Sequence, residues 1–210
     1  MEIVFVLFDR ITALDAVGPY EVLQRLPGAT VKFAAKEPGE YRTDKGFLAL
    51  VADHALRDVP RPDILVVPGG FGTRELVEDE EVLHYVRGAH EHTTWTTSVC
   101  SGSLVLGAAG LLRGLDATSH WTELETLRQY GATPTLQRVV TQGKVVTAAG
   151  VSAGIDMALD LTARIAGDDV AQLIQLGIEY DPQPPFDSGS PAKAPKEIVE
   201  RYRALLAARS

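Results

Sequence analysis

Cysteine is almost absent from this sequence, which has a single one, Cys100, among 210 residues. One cysteine excludes an internal disulfide bond and a zinc site built from several thiolates. It also suits a reducing compartment, so we expect a cytoplasmic protein. Histidine is sparse too, with five residues at no metal-ligand spacing, and we therefore expect no bound metal.

Positive charge and long apolar runs are also scarce. Twenty Lys and Arg residues stand against 28 Asp and Glu residues, which gives a net charge of −8. That balance argues against broad binding to nucleic acid or to an anionic membrane surface. No apolar stretch approaches the length of a transmembrane span. The first residues lack the basic region and cleavage site of a signal peptide, so we expect no targeting segment.

The residues that are present suit an α/β protein. Hydrophobic residues make up 45% of the chain, enough for a sizeable core, and we expect residues 1–210 to form a single domain. Ile3 to Phe8 is a continuous apolar run typical of a central parallel strand covered on both faces. Asp63 to Val67 predicts another buried strand. Between them, Tyr41 to Asp53 alternates around a turn at Asp44-Lys45-Gly46 and predicts a small hairpin.

Helical patterns follow in the second half of the chain. Arg74 to Glu91 is charged on one side and apolar on the other, which predicts one surface helix. Ile155 to Ala166 predicts an apolar helix, and Ala194 to Ala208 a final amphipathic one. The Pro-rich stretch Tyr180 to Pro191 can be neither a helix nor a central strand, so we expect a surface or partner-contacting arm.

The stretch from Thr93 to Leu112 contains the strongest functional signal. Its first part is rich in Thr, Trp and Val, which predicts a strand. Its second part consists of small and apolar residues, which predicts a helix. Cys100 lies at the junction, and Gly102 leaves room for a tight turn. Backbone N–H groups at the start of the helix favour an anion, so we expect the thiol to lose its proton more easily than a free cysteine. The alternative is a buried core cysteine.

Four further residues follow strands and are candidates for the same site. Asp15 comes after the first strand, near the start of a helix, and is either a helix N-cap or part of a ligand site. Gly69 and Gly70 follow another strand, and a free N–H from either could point at a substrate. His120 follows a short strand-like segment and is either structural or lines the site.

Taken together, three segments resemble the ThiJ/PfpI family of the class I glutamine amidotransferase-like superfamily. They are Asp15 with Gly18-Pro19-Tyr20-Glu21, Val66-Val67-Pro68-Gly69-Gly70, and Ser98-Val99-Cys100-Ser101-Gly102. The resemblance implies a three-layer α/β/α sandwich with a mainly parallel central sheet, flavodoxin-like in architecture. It also implies a homodimer, a small-molecule substrate and no cofactor. Within the family, three other segments look most like isonitrile hydratases, and also like the amidotransferase-like halves of AraC-type regulators. They are Cys100 to Leu112, Thr118-Ser119-His120-Trp121, and Gly177 to Pro191.

That resemblance implies roles for the residues. Cys100 would attack the terminal carbon of an isonitrile, Asp15 would contact the thiol and move protons, and water would then release an N-substituted formamide. A carboxyl group beside a thiolate should have a raised pKa and can act as an acid. The N–H groups of Gly70 and Ser101 would stabilise developing charge. Ser101 stands where these hydratases often have Thr, and it keeps the hydroxyl group.

The same residues also bear on other activities found in the superfamily. PfpI-type peptidases have His directly after the nucleophile, where this chain has Ser101, and a glutaminase triad needs a late histidine that is missing after Gly150. His120 could pair with Cys100 in a glyoxalase- or deglycase-like enzyme acting on 2-oxoaldehydes. A non-enzymatic redox sensor, with Cys100 oxidised to a sulfenic or sulfinic acid, is the remaining alternative.

Overall fold

The computed structural model describes residues 1–208. They fall into two compact units, Met1–Ile178 and a second unit that begins at Glu179. The first unit holds eleven strands, six α-helices and two 3₁₀-helices, and the described part of the second holds one further α-helix. The single domain expected over residues 1–210 stays a prediction. Within residues 1–208, no helix is both long and apolar enough to cross a membrane.

The strands of the first unit build one large sheet and two small pairs. Their bounds are β1 Glu2–Val6, β2 Thr30–Ala35, β3 Gly39–Arg42, β4 Ala49–Ala52, β5 His54–Ala55, β6 Ile64–Val67, β7 Trp95–Val99, β8 Asp116–Ala117, β9 Thr133–Pro134, β10 Val139–Gln142 and β11 Val145–Ala148. Seven of them form the sheet in the order β10-β11-β7-β6-β1-β2-β5. All neighbours in it are parallel except β10 and β11. The mainly parallel sheet predicted from the sequence is therefore confirmed.

The first strand, β1, is the apolar inner strand expected from the sequence. In β1, Ile3, Val4 and Phe5 are fully buried, because β2 and β6 flank the strand and helices cover the sheet. Strands β3 and β4 lie outside this sheet as an antiparallel hairpin, and this confirms the predicted hairpin. Its turn contains Asp44, which contacts the site described below.

The described residues also form seven α-helices and two 3₁₀-helices, the latter at Leu56–Asp58 and Leu124–Tyr130. The bounds of the α-helices are α1 Ala13–Leu23, α2 Thr73–Leu76, α3 Glu80–His92, α4 Gly102–Ala108, α5 Ala153–Ala166, α6 Asp168–Gly177 and α7 Lys196–Ala207. Helices α1, α5 and α6 pack together as one group, and α2, α3 and α4 as another. With the sheet, they form the three-layer α/β/α sandwich that the sequence predicted.

Three helical predictions need correction in their extent. The helix predicted from Ile155 to Ala166 is confirmed as α5 but begins two residues earlier, at Ala153. The single surface helix predicted over Arg74 to Glu91 is two helices, α2 and α3. The break lies at Asp79, whose carboxylate accepts hydrogen bonds from the N–H groups of Glu81 and Val82 and so begins a new helix. The final helix, α7, is confirmed but begins two residues later than expected, directly after its N-cap residue Pro195.

Aromatic packing and two close glycine contacts fix α1 and α5 beside the sheet. The Tyr20 ring of α1 lies 6.4 Å from Phe5 and 5.3 Å from Phe33, centroid to centroid, on β1 and β2. A Cβ atom on Gly18 would lie 3.0 Å from Ile155 Cγ1, and one on Gly154 would lie 3.0 Å from Val99 Cγ2. The start of α5 therefore packs against the end of β7, where Cys100 follows, and α1 packs against α5.

Candidate active site

Cys100 occupies the tight turn that the sequence predicted. Strand β7 ends at Val99, α4 begins at Gly102, and Cys100 between them has a φ of +58°, which is uncommon for a residue with a side chain. The turn leaves no space at Gly102, where a Cβ atom would lie 2.1 Å from the carbonyl oxygen of Val67. Such strain persists only where the surrounding structure enforces it, and functional sites are where it concentrates.

This close approach predicts a large effect for a small substitution. Gly102→Ala should lower the free energy of unfolding by roughly 1 to 3 kcal/mol, since backbone must move to admit the methyl group. Urea unfolding followed by circular dichroism measures this change. Gly88→Ala is the matched control, because a Cβ atom there meets nothing within 4 Å inside α3. The control should be neutral or slightly stabilising, and equal stability of the two variants would contradict the packing argument.

Four hydrogen bonds hold the backbone of Cys100 in this conformation. Its N–H donates to the carbonyl oxygens of Ala148 and Ala149, each at 3.0 Å. Its own carbonyl oxygen accepts from the hydroxyl groups of Ser103, at 3.1 Å, and Ser119, at 3.0 Å. Because the backbone is fixed on both sides, the direction of the side chain is fixed as well.

The thiol itself is enclosed and lies among backbone donors. Cys100 is only 7% exposed, and its sulfur interacts with the N–H groups of Ser101 and Val151. Val151 has a φ of +36°, which is strained for a β-branched residue. The donors that face the sulfur therefore come from two separate loops, one of them strained.

The expectation of an easily ionised thiol is wrong for this structure. The two N–H groups do lower the pKa of Cys100, as expected near the start of a helix. Burial and the negative charge of Asp15 outweigh them, and the net result is a thiol pKa well above its ordinary value. At neutral pH, Cys100 is therefore a protonated thiol that needs a base beside it in order to react.

Asp15 supplies a carboxyl group at that position. It is the third residue of α1, which begins two residues earlier than expected, and it is fully buried. The N-cap is Thr12, so the N-cap interpretation of Asp15 is wrong. Its Oδ2 accepts a hydrogen bond of 3.0 Å from the Gly69 N–H, whereas Oδ1 has no hydrogen-bond partner among the described residues. Asp15 and Cys100 lie close enough for each to change the pKa of the other.

The pKa of Asp15 is raised from 3.8 to about 7, in the expected direction. The main cause is burial, which disfavours the charged form, and the negative charge of Asp44 adds to it. The Gly69 N–H and the Cys100 thiol act in the opposite direction. A carboxyl group with this pKa can accept and return a proton near neutral pH, which is the property of a general acid and base.

The glycine pair is hydrogen-bonded within the protein, so the expected free N–H is not found. The Gly69 N–H faces Asp15, and the Gly70 N–H donates to Ser101 Oγ at 3.0 Å. Ser101 Oγ also lies 3.2 Å from the Gly70 carbonyl oxygen and accepts from Thr73 Oγ1 at 3.1 Å. The Ser101 hydroxyl therefore holds the glycine loop, while its backbone N–H faces the sulfur.

His120 lies against the loop that carries Val151. A Cβ atom on Gly150 would be 2.6 Å from the His120 ring, and His120 Nδ1 lies 2.7 Å from Thr122 Oγ1. Burial lowers the pKa of His120, which favours the neutral ring at physiological pH. Among the described residues, no hydrogen bond or ion pair joins His120 to Cys100.

Several residues of the site were missed by sequence reasoning. All but Ser103 make their contacts between distant segments, and the residues are Asp44, Thr73, Ser103, Ser119 and Val151. Ser119 stands directly before His120 and could have been included with it. Val151 carries no sequence signal, because its backbone rather than its side chain faces the sulfur. Among the described residues, no group of three or more His, Cys, Asp or Glu is placed to hold a metal ion.

A buried cysteine on a strand-to-helix turn, beside a buried carboxyl group at the carboxyl edge of a parallel sheet, defines an α/β protein with a candidate site for cysteine chemistry. Comparison of sequences identifies the family: the profile of the DJ-1/PfpI family matches residues 1–164, and the chain belongs to that family.

Individual relatives agree with this assignment. The chain is 45% identical to the isonitrile hydratase of Pseudomonas putida over 97% of its own length and 89% of that protein. It is 30% identical to the HTH-type transcriptional regulator CdhR of Pseudomonas aeruginosa, over 78% of this chain but only 49% of the regulator. The crystal structure of a THiJ/PfpI family protein from Pseudomonas syringae superimposes with a TM-score of 0.95 at 38% identity, covering 98% of this chain and 86% of that one.

Proposed function

We propose that this protein is an isonitrile hydratase, a hydro-lyase that adds water to an isonitrile, R–N≡C, and gives an N-substituted formamide. The observation that carries the proposal is the 45% identity to the Pseudomonas putida isonitrile hydratase over nearly the whole chain. The buried pair of Cys100 and Asp15 supports it, because the pair provides the nucleophile and the proton carrier that this addition needs.

In the first half of the reaction, the Cys100 sulfur bonds to the terminal carbon of the isonitrile. The thiol proton passes to the Asp15 carboxylate as the S–C bond forms, so no free thiolate has to accumulate. Asp15 then gives that proton to the same carbon. The product is a thioimidate, R–N=CH–S–Cys100, which contains every atom of the thiol and of the isonitrile.

In the second half, water adds to the thioimidate carbon and its proton goes to nitrogen. The resulting carbon carries the hydroxyl group, the nitrogen and the sulfur. Collapse forms the carbonyl group, breaks the C–S bond and returns the hydroxyl proton to Cys100, with Asp15 as the carrier. The N–H groups of Ser101 and Val151 stabilise the negative charge that develops on the departing sulfur. The Ser101 hydroxyl acts only as a positioning group, through its contacts with Gly70.

This mechanism predicts a definite pH dependence. Asp15 must be a carboxylate to accept the thiol proton, and its pKa is about 7. The kcat/KM for a simple alkyl isonitrile should therefore rise with pH through about 7 and level off above it. Initial rates of formamide formation between about pH 5 and pH 9, corrected for uncatalysed hydrolysis in acid, measure the profile. A rate that is constant over this range would contradict the role given to Asp15.

The activity itself is tested by incubating the purified protein with a simple isonitrile and measuring the N-formamide by chromatography. Catalytic formation of the formamide is expected, at a rate proportional to protein concentration. Absence of product from a folded protein across several alkyl and aryl isonitriles would overturn the proposal. A 2-oxoaldehyde tested in parallel addresses the glyoxalase-like alternative, which the contacts of His120 with Gly150 and Thr122 do not favour.

We also propose that the protein acts as a homodimer in the cytoplasm. Two leucines of α6, Leu173 and Leu176, are 68% and 74% exposed, which supports a surface that a second copy covers. The single free thiol suits a reducing compartment. Light scattering coupled to size-exclusion chromatography should give the mass of two chains, and a monomer at micromolar concentration would overturn the dimer.

A further inference from the structure

Asp44 lies in the turn of the β3–β4 hairpin, outside the large sheet, yet its carboxylate is directed to the loops of the site. Its Oδ1 accepts a hydrogen bond of 3.0 Å from the Phe71 N–H, and its Oδ2 accepts one of 2.7 Å from the Thr12 hydroxyl. Its own N–H donates to the carbonyl oxygen of Ile11 at 3.1 Å. One half-buried side chain thus joins the entry of α1 to the loop that follows β6.

The two segments joined by Asp44 are the ones that hold Asp15 in place. The Thr12 N–H donates to the Gly69 carbonyl oxygen at 2.9 Å, and the Gly69 N–H in turn donates to Asp15 Oδ2. Asp44 fixes both ends of this arrangement, through Thr12 on one side and Phe71 on the other. The hairpin therefore helps to fix the geometry of the site, although its two strands do not belong to the large sheet.

The charge of Asp44 also affects the pKa of Asp15. Two titratable side chains change the pKa of Asp15, and they are the Cys100 thiol, which lowers it, and the Asp44 carboxylate, which raises it. Two arginines of the neighbouring segments are paired with other carboxylates, Arg10 with Glu75 and Arg42 with Glu40. A second carboxylate near Asp15 makes its ionised form less favourable.

We propose that Asp44 is a positioning residue for this site, which holds the Gly69–Gly70 loop against Asp15 and places a second negative charge near that carboxyl group. Its effect on isonitrile hydration rests on the function proposed above. Its effect on the ionisation of Asp15 does not, and can be measured without a substrate.

Three variants separate the two roles of Asp44. Asp44→Asn keeps a side chain that can accept from Phe71 and bond to Thr12, but removes the charge. Asp44→Ala removes both the charge and the contacts. Asp53→Asn is the matched control, since it removes an exposed charge from the end of the same hairpin. Infrared titration of the protonated carboxyl band that Asp15→Asn abolishes gives the ionisation midpoint of Asp15 in each protein.

In Asp44→Asn, the infrared midpoint and the acidic limb of the kcat/KM profile should both move to lower pH by about half to one unit. In Asp44→Ala, kcat should also fall by roughly tenfold or more, because the loop is no longer fixed. Asp53→Asn should change neither. The proposal would be overturned if Asp44→Asn left both the infrared midpoint and the acidic limb of the kcat/KM profile unchanged and Asp44→Ala kept the kcat of the wild type. A shifted infrared midpoint in a protein that makes no formamide would overturn the hydratase function and support the role of Asp44.

Discussion

Cys100→Ala should abolish formamide formation, with a loss in kcat/KM of at least about 10⁴-fold, because the covalent route through the thioimidate is removed entirely. Few substitutions in this protein should have so large an effect on activity. Formamide measured by chromatography after long incubations with concentrated protein sets the lower limit of detection. The variant should fold normally, since Ala keeps the Cβ atom and the backbone anchors to Ala148, Ala149, Ser103 and Ser119 do not use the thiol.

Cys100→Ser is the matched control for this result. It keeps the size of the side chain and a proton that Asp15 can accept, but oxygen is a far weaker nucleophile than sulfur. We therefore expect it to be nearly as inactive as Cys100→Ala. Wild-type turnover in either variant, with an unchanged circular dichroism spectrum, would show that the sulfur of Cys100 takes no part in the reaction.

Asp15→Asn should reduce kcat/KM by about 10²- to 10⁴-fold, the range that a positioned general acid and base contributes. The amide can still accept the hydrogen bond from the Gly69 N–H, but it cannot take up the thiol proton. The residual activity should lose the rise near pH 7, because that rise belongs to Asp15. Initial rates across the same pH range as for the wild type provide the measurement.

The stability of Asp15→Asn provides an independent check on the same pKa. Asp15 has a pKa of about 7 in the folded protein and 3.8 as its ordinary value, so the folded state holds the proton more tightly. The wild type therefore loses stability as the pH rises from about 4 to about 7. The variant avoids this loss and should melt at a higher temperature than the wild type above about pH 7, with no such gain near pH 4. A variant that is less stable at both pH values would contradict the raised pKa.

The outline of the site could be predicted from local sequence, because each of its main residues lies between the end of a strand and the first turn of the next helix. Parallel strands end at one edge of a sheet, so the residues after β1, β6 and β7 had to come together there. This places Asp15, Gly69 and Cys100 as neighbours without any knowledge of side-chain contacts. The strained conformation of Cys100 was predictable from local sequence too, since a strand that turns directly into a helix leaves few backbone conformations for the residue between them.

The electrostatics could not be predicted in this way. The sequence indicates that backbone N–H groups lie near the Cys100 thiol, and the structure has two of them there. The direction of the pKa shift is decided instead by how deeply the thiol is buried. Burial depends on how α1 and α5 close over the end of β7, which involves contacts between residues more than fifty positions apart. The same applies to Asp44, whose place in a hairpin turn gives no indication that it reaches Phe71 and Thr12.

The central claim, hydration through a covalent bond to Cys100, is tested most directly by following protein and product in one experiment. The protein is mixed with an alkyl isonitrile, its mass is recorded at short times by native electrospray mass spectrometry, and formamide is measured in the same samples. We predict a species heavier by the full mass of the isonitrile in the wild type, its absence in Cys100→Ala, and formamide only where that species forms. Formamide from Cys100→Ala, or from wild type whose Cys100 has been blocked by iodoacetamide, would contradict the account.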